Sequence, residues 1–265
     1  MVLTILKQGV NLFSNSQTPL FRKIALSLWG SQGDPSVYGF VELDVTTVKS
    51  HSSLLALITK ALGLMMQENS KLSTMIKWGH IVQRPDKSIS IMVDIPGQQN
   101  DLSLLNLHEV HLLSVDEIQQ KLDRQANLVR AHRDPNLGPM LKLIRQIPQP
   151  LLKFFLNIYE FFIYELNVNL KMRMLPHRPF GSIIVSNVGS LGIKKALLPL
   201  VPIARASAMV SIGQVSLEPK VVDGVICIRS IAHLGVTFDH RLFDGSHAGK
   251  MVTDFERAFA ELVRP

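Results

Sequence analysis

The period of the apolar positions changes several times along this chain. From Thr18, the residues Leu20, Ile24, Leu28 and Trp29 recur on one helical face, Arg22 and Lys23 take another, and Gly30 with Gly33 ends the run. After the Asp34-Pro35 turn the period drops to two. Tyr38, Phe40, Val41, Leu43 and Val45 set against Glu42 and Asp44 predict a strand over Val37 to Val45. Leu54, Leu55, Ile58, Leu62 and Met65 return to helical spacing and predict a helix over Ser52 to Met66, with Ser52 or Ser53 as its N-cap. His80 to Gln83 and Ser88 to Val93 read as two short strands joined in a hairpin through Arg84-Pro85-Asp86-Lys87, where Pro suits a type I turn. Leu104 to Leu113 supplies a further strand. Ser114 and Glu117 then form a capping box, in which each side chain satisfies an unpaired amide at the start of a helix running to about Arg130.

Residues 135–179 break this regular alternation. Met140 to Ile147 and Leu151 to Leu166 are apolar pieces punctuated by Pro148 and Pro150. Phe154, Phe155, Tyr159, Phe161, Phe162 and Tyr164 occupy nearly every face of the second piece, the pattern of a helix buried in a core or against a neighbouring subunit. A pocket wall is the next reading, and a membrane surface the last. Beyond Pro179, Phe180 to Gly189 is a β run ending in the polar pair Ser186-Asn187, and Gly192 to Pro202 is an irregular apolar connection. Ala208 to Val215 and Val225 to Phe238 read as strands, with Val222-Asp223-Gly224 as a turn between them. Ala248, Met251, Val252, Phe255, Phe259 and Leu262 form the stripe of a last helix, with Asp244 near its positive end.

Composition narrows the function classes. At 265 residues the chain can form one large α/β domain, and its 18% charged content is below the usual quarter, which favours surface covered by other subunits. The net charge of +7 is scattered among acidic residues without a dense basic, aromatic-laced block, so no nucleic-acid partner is expected. Cys227 is the only cysteine, which removes a disulfide framework and a thiolate metal cluster; in the apolar run Val225 to Ile228 it reads as a buried, inert thiol. Met1 to Phe13 lacks the features of a signal peptide, and no apolar run is long enough to span a bilayer. A cytoplasmic protein without membrane association is expected.

The candidate chemistry sits in Asp239-His240-Arg241-Leu242-Phe243-Asp244-Gly245, a strand-to-helix corner with a potential base. A lone histidine there is more often structural than catalytic. The His-x-x-x-Asp-Gly motif, preceded by Asp and followed by Arg, resembles the signature of the catalytic domain of 2-oxoacid dehydrogenase acyltransferases (the E2 components) and of the related chloramphenicol acetyltransferases. The Ser186-Asn187-Val188-Gly189 segment resembles a second stretch of that family. The resemblance runs from about residue 18 to the end, is strong over 180–190 and 232–262, and is weak over 135–179.

The resemblance implies an α/β fold of the α+β two-layer sandwich type, chloramphenicol acetyltransferase-like, with a mixed sheet covered by helices. It implies one catalytic domain over 1–265 with a helical apolar insertion at 135–179. His240 would be the general base, and Ser186, beside Asn187, would donate to the oxyanion. Asp244 would order the site by pairing with Arg22 or Arg241, and Gly245 would allow a tight turn. The family pattern implies a homotrimer whose sites lie at subunit interfaces, with coenzyme A or acyl-CoA as substrate, no metal, and no lipoyl attachment site on this chain.

Three function classes follow. A free-standing transferase moving a short acyl group from acyl-CoA to a small-molecule hydroxyl is preferred, since lipoyl and subunit-binding modules are not seen and the aromatic insertion is extra. The second is an E2 core exchanging acyl groups between dihydrolipoamide and coenzyme A. The third is a non-catalytic assembly relative, which the presence of both His240 and Ser186 argues against. Peptide-synthetase condensation domains share a related motif but carry a second histidine where this chain has Asp239, and they need two lobes.

Overall fold

The computed structural model describes residues 34–48, 54–84, 87–94, 102–131, 143, 147–169 and 179–264. The spine is β9 (Val225–Asp239), a strand of 15 residues. Its inner half pairs antiparallel with β1 (Ser36–Asp44) on one side and β7 (Ala208–Ile212) on the other, while its outer half pairs with β8 (Ser216–Val222). β6 (Ile183–Asn187) lies parallel to both β7 and β4 (Ser88–Asp94), and β5 (Leu102–His108) closes the edge antiparallel to β4. The sheet therefore runs β1-β9-β7-β6-β4-β5, with β8 on the free length of β9. Mixed strand direction and covering helices agree with the expected fold class.

One face of the sheet is covered by α1 (Leu54–Glu68), α2 (Val115–Arg130) and α4 (Gly245–Val263). Ile58, Leu62, Met66, Ile118, Phe255 and Phe259 pack onto Ile89, Ile91, Ile183, Val185 and Leu234. The capping box at Ser114 and Glu117 is present and opens α2 as predicted. On the other face the irregular segment 192–201 crosses the strands. Ser211 Oγ donates to Ala196 O and Thr237 Oγ1 to Leu198 O, so hydroxyls on β7 and β9 satisfy carbonyls that the crossing would otherwise bury unpaired. A β-carbon on Gly213 or Gly235 would lie 1.9 Å from Lys194 O or Ala196 O, so this close crossing requires glycine just beyond β7 and within β9.

Several expected elements differ. β3 (His80–Gln83) pairs with β2 (Thr74–Lys77), a strand not predicted, through the turn Trp78-Gly79, where φ is +50° and +71°. β4 instead sits inside the main sheet, and Ile89, Ile91, Ser88 and Ser90 are all buried because it has neighbours on both edges and both faces. Residue 108 ends β5, and Val110–Leu112 is a short 3₁₀ turn where the strand was expected to continue. β8 was also unpredicted, although the turn at Asp223-Gly224 that joins it to β9 was placed correctly. The helix proposed over residues 18–33, the apolar piece 140–147 and the N-cap at Ser52 or Ser53 fall on residues outside those described, with residues 143 and 147 the exceptions.

Within the apolar segment 135–179, α3 (Gln149–Glu160) continues into a wide π turn over Phe161–Glu165. The expectation that this helix is buried on all sides does not hold. Tyr159, Ile163 and Tyr164 form a small core with Met75. Leu151, Phe154, Ile158, Phe161 and Phe162 lie exposed, Phe154 at 66%. Arg205 ties the buried side to the body: it pairs with Glu160 and Glu165 at 2.8 Å each, donates to Ile76 O, and stacks over Tyr164. The β8–β9 ribbon is likewise inverted. Leu217, Val221, Val225, Ile226 and Ile228 face outward, and Cys227, expected to be buried, is only half so. No helix among the described residues is long and apolar enough to cross a membrane.

Candidate active site

The corner at 239–245 is built by backbone hydrogen bonds. Leu242 N and Phe243 N both donate to Asp239 O, and His240 N donates to Pro35 O at 2.8 Å, which moors the corner to the start of β1. Asp239 is buried and receives Arg241 through Nε, Nη2 and the backbone amide. Arg241, one of the two arginines proposed for Asp244, thus closes on Asp239; the other, Arg22, lies outside the described residues. Asp244 has a different described role. It is the N-cap of α4, accepting from His247 N, from His247 Nδ1 and from Ser246 Oγ. The Ser246 hydroxyl, followed by the His247 amide, holds its carboxyl well below the usual carboxylate range. Gly245 has open space at its β-carbon position and no positive φ, so the expected tight turn does not depend on it.

His240 Nδ1 lies 2.8 Å from Phe243 O. A carbonyl oxygen only accepts, so Nδ1 carries the proton, and in the neutral ring the lone pair is on Nε2. The corner thereby fixes the tautomer a general base needs.

Ser186 lies near the carboxy end of β6, followed by Asn187, whose carbonyl accepts from Ser190 Oγ at 2.7 Å. Both line an open cavity of about 610 Å³ whose walls also include Leu54, Arg130, Ser190 and Gln214. Gln214 and Arg130 were not singled out in the sequence. They come from separate segments and share no motif with Ser186.

Ser186 and His240 do not meet within one chain. Ser186 pairs with Ser211, and Ser211 pairs with Gly235, five residues before His240 on β9. At about 3.3 Å per residue this is roughly 17 Å along the strands, with two strand spacings, about 10 Å, across them. The serine and the histidine stand at opposite ends of the sheet.

Residues 179–263 match the family model of the 2-oxoacid dehydrogenases acyltransferase catalytic domain. Over 86 residues the chain is 34% identical to the dihydrolipoyllysine-residue acetyltransferase component of the pyruvate dehydrogenase complex of Mycobacterium bovis, a match covering 31% of this chain and 15% of that protein. Among solved structures, the cubic core of the pyruvate dehydrogenase multienzyme complex aligns with a TM-score of 0.62 at 15% identity, over 91% of this chain and 86% of that one. Dihydrolipoamide acetyltransferase of Azotobacter vinelandii, solved in a study of the roles of a serine, a histidine and an asparagine in its catalytic mechanism, aligns with a TM-score of 0.61 at 14% identity, over the same shares. By sequence across its last third and by fold across nine-tenths of its length, the chain is similar to the acyltransferase catalytic domain of the 2-oxoacid dehydrogenases.

Proposed function

We propose that this chain is a coenzyme A-dependent acyltransferase that exchanges acyl groups between coenzyme A and a dihydrolipoyl thiol. The observation that carries this reading is the tautomer of His240, set by Phe243 O inside the stretch that matches the family model. The small-molecule hydroxyl acceptor preferred on sequence grounds gives way here, because the matched relative acts on a dihydrolipoyllysine residue.

In this mechanism His240 Nε2 takes the proton of the attacking thiol as its sulfur adds to the thioester carbonyl. The hydroxyl of Ser186 donates to the oxygen that becomes negative. The tetrahedral intermediate collapses by breaking its other carbon–sulfur bond, and the departing thiolate recovers the proton from the imidazolium. Asp244 acts on geometry, because capping α4 fixes the corner that carries His240. The Azotobacter enzyme lends support, since its asparagine follows its histidine by the spacing that separates Asp244 from His240.

The reading requires a homotrimer with each site between two subunits, His240 from one and Ser186 from the next. Three features favour it: the separation of the two residues within one chain, the apolar outer face of the β8–β9 ribbon, and the cubic core of a structural relative, because cubic symmetry contains three-fold axes. The whole chain then acts as one catalytic domain, the segment 135–179 is an insertion within it, and the cytoplasm, where acyl-CoA is made and used, is its setting.

Acetyl-CoA offered with dihydrolipoamide, and separately with a panel of hydroxyl acceptors, tests the reading. Transfer to the dithiol, falling by about 10² to 10⁴ in His240→Ala, is expected. Transfer to hydroxyls alone would restore the first preference, and activity unchanged in His240→Ala would remove the base assignment.

A further inference from the structure

The inner, polar face of the β8–β9 ribbon holds a cluster that acyl transfer does not use. Glu42 on β1, Glu218 on β8 and His233 on β9 converge there, Glu42 and His233 as direct cross-strand partners. His233 lies seven residues before His240, about 23 Å along the strand. Its side chain is 1% exposed. Nε2 is 2.7 Å from Glu218 Oε1, and a carboxylate only accepts, so Nε2 carries the proton and the lone pair of the neutral ring falls on Nδ1. Nδ1 is buried without a hydrogen-bond partner among the described residues, and it faces a second acceptor, Glu42 Oε1, at 3.9 Å. Two acceptors across such a gap need a positive species between them. Metal–nitrogen and metal–oxygen bonds of about 2.0 to 2.2 Å would span it.

We propose that His233 Nδ1 and Glu42 Oε1 bind a divalent transition-metal ion of the Zn²⁺ type, with Glu218 holding the imidazole from outside the coordination sphere. An imidazole nitrogen beside a carboxylate suits such an ion better than Ca²⁺ or Mg²⁺, which take oxygen ligands. A carboxylate behind a ligating histidine fixes its tautomer and raises its basicity. The competing charge is Lys220, which pairs with Glu42 Oε2 and lies 3.7 Å from Glu218 Oε2; Lys195 adds a further positive charge near Glu42. Both carboxylates turn Oε2 toward Lys220 and Oε1 toward the imidazole, so ion and ammonium approach different oxygens. Water completes the shell, and the ion clips the root of the ribbon to β1.

The test uses the full chain, dialysed against a chelator and then titrated with Co²⁺ by visible absorption and with Zn²⁺ by calorimetry, at about pH 7.5 so that the ligands are deprotonated. One saturable site per chain with Co²⁺ ligand-field bands is expected. Glu42→Gln, a substitution at a half-exposed side chain, should weaken binding about tenfold or more, since it replaces a charged ligand with a neutral amide. Lys220→Gln should tighten binding severalfold, a gain that misfolding cannot produce. The proposal is overturned if no saturable site exists, as when the gap is filled by a second proton on His233. It is equally overturned if Glu42→Gln binds like the parent or Lys220→Gln binds no more tightly.

Discussion

If each site draws His240 from one subunit and Ser186 from the next, two inactive variants should rescue each other. Strand register separates the two residues by roughly 17 Å along the sheet and about 10 Å across it, far beyond the ~3 Å of a catalytic hydrogen bond. Alone, His240→Ala should lose about 10² to 10⁴ in rate and Ser186→Ala about 10² to 10³. Co-expressed in equal amounts with different affinity tags, the two kinds of chain assemble at random. In a cyclic trimer a site is intact only when a chain with His240 meets, in the right order, a chain with Ser186, so about a quarter of all sites are restored. The mixture should therefore show about a quarter of the parent's acetyl transfer from acetyl-CoA to dihydrolipoamide, at least about 25-fold above either variant alone. A mixture no more active than the average of its two components would refute the shared site. So would a fully active monomer by light scattering.

Three further outcomes follow from the packing. Arg205→Ala leaves Glu160 and Glu165 without their shared cation and should cost about 3 kcal/mol in urea unfolding, with Arg205→Lys recovering only part. A loss within error would mean that the insertion is not anchored there. Gly235→Ala places a β-carbon 1.9 Å from Ala196 O and should lower the melting temperature by more than Gly39→Ala, whose added carbon meets nothing. Asp244 titrates below its ordinary value of 3.8 in the folded chain, so its capping contribution is complete above about pH 4 and lost as the pH falls below it. Thermal melts of Asp244→Asn should accordingly converge on the parent's as the solution is acidified; curves that stay parallel would show that the carboxylate charge is not what holds the cap.

Alternation and capping were readable wherever one face of an element meets the core. β1, α1, α2 and α4 came from such patterns, and the inner half of β9, buried on both faces, came from its apolar run. The pairing of β3 was not readable, because Trp78-Gly79 makes a two-residue turn through positive φ at tryptophan, while the Pro85-containing link offered a more conventional one. Burial was misjudged in the ribbon and the insertion for a shared reason: apolar density was taken to mean interior, yet Ile226, Ile228, Phe154 and Phe161 are exposed. At the site, a motif could name His240 and Ser186 but not the distance between them, which depends on β6 lying parallel to β7. Asp244 was expected to pair with an arginine; its described contacts add the role of a helix cap, and Arg22 lies outside the described residues. Glu42, Glu218 and His233 escaped notice because three strands bring together residues far apart in the chain.

β9 also works as a ruler. Its outer half ends in the apolar ribbon and its inner half ends one residue before His240, with no loop between them to absorb a change in length. A single inserted or deleted residue within it would turn every side chain beyond that point to the opposite face, exchanging Leu234 and Val236 with Gly235 and Thr237 and rotating the corner that holds His240. Whatever docks on the ribbon would therefore be indexed to His240 by a rigid and countable span. Variation in length has to be sought in the connections, such as residues 135–179, and not along this strand.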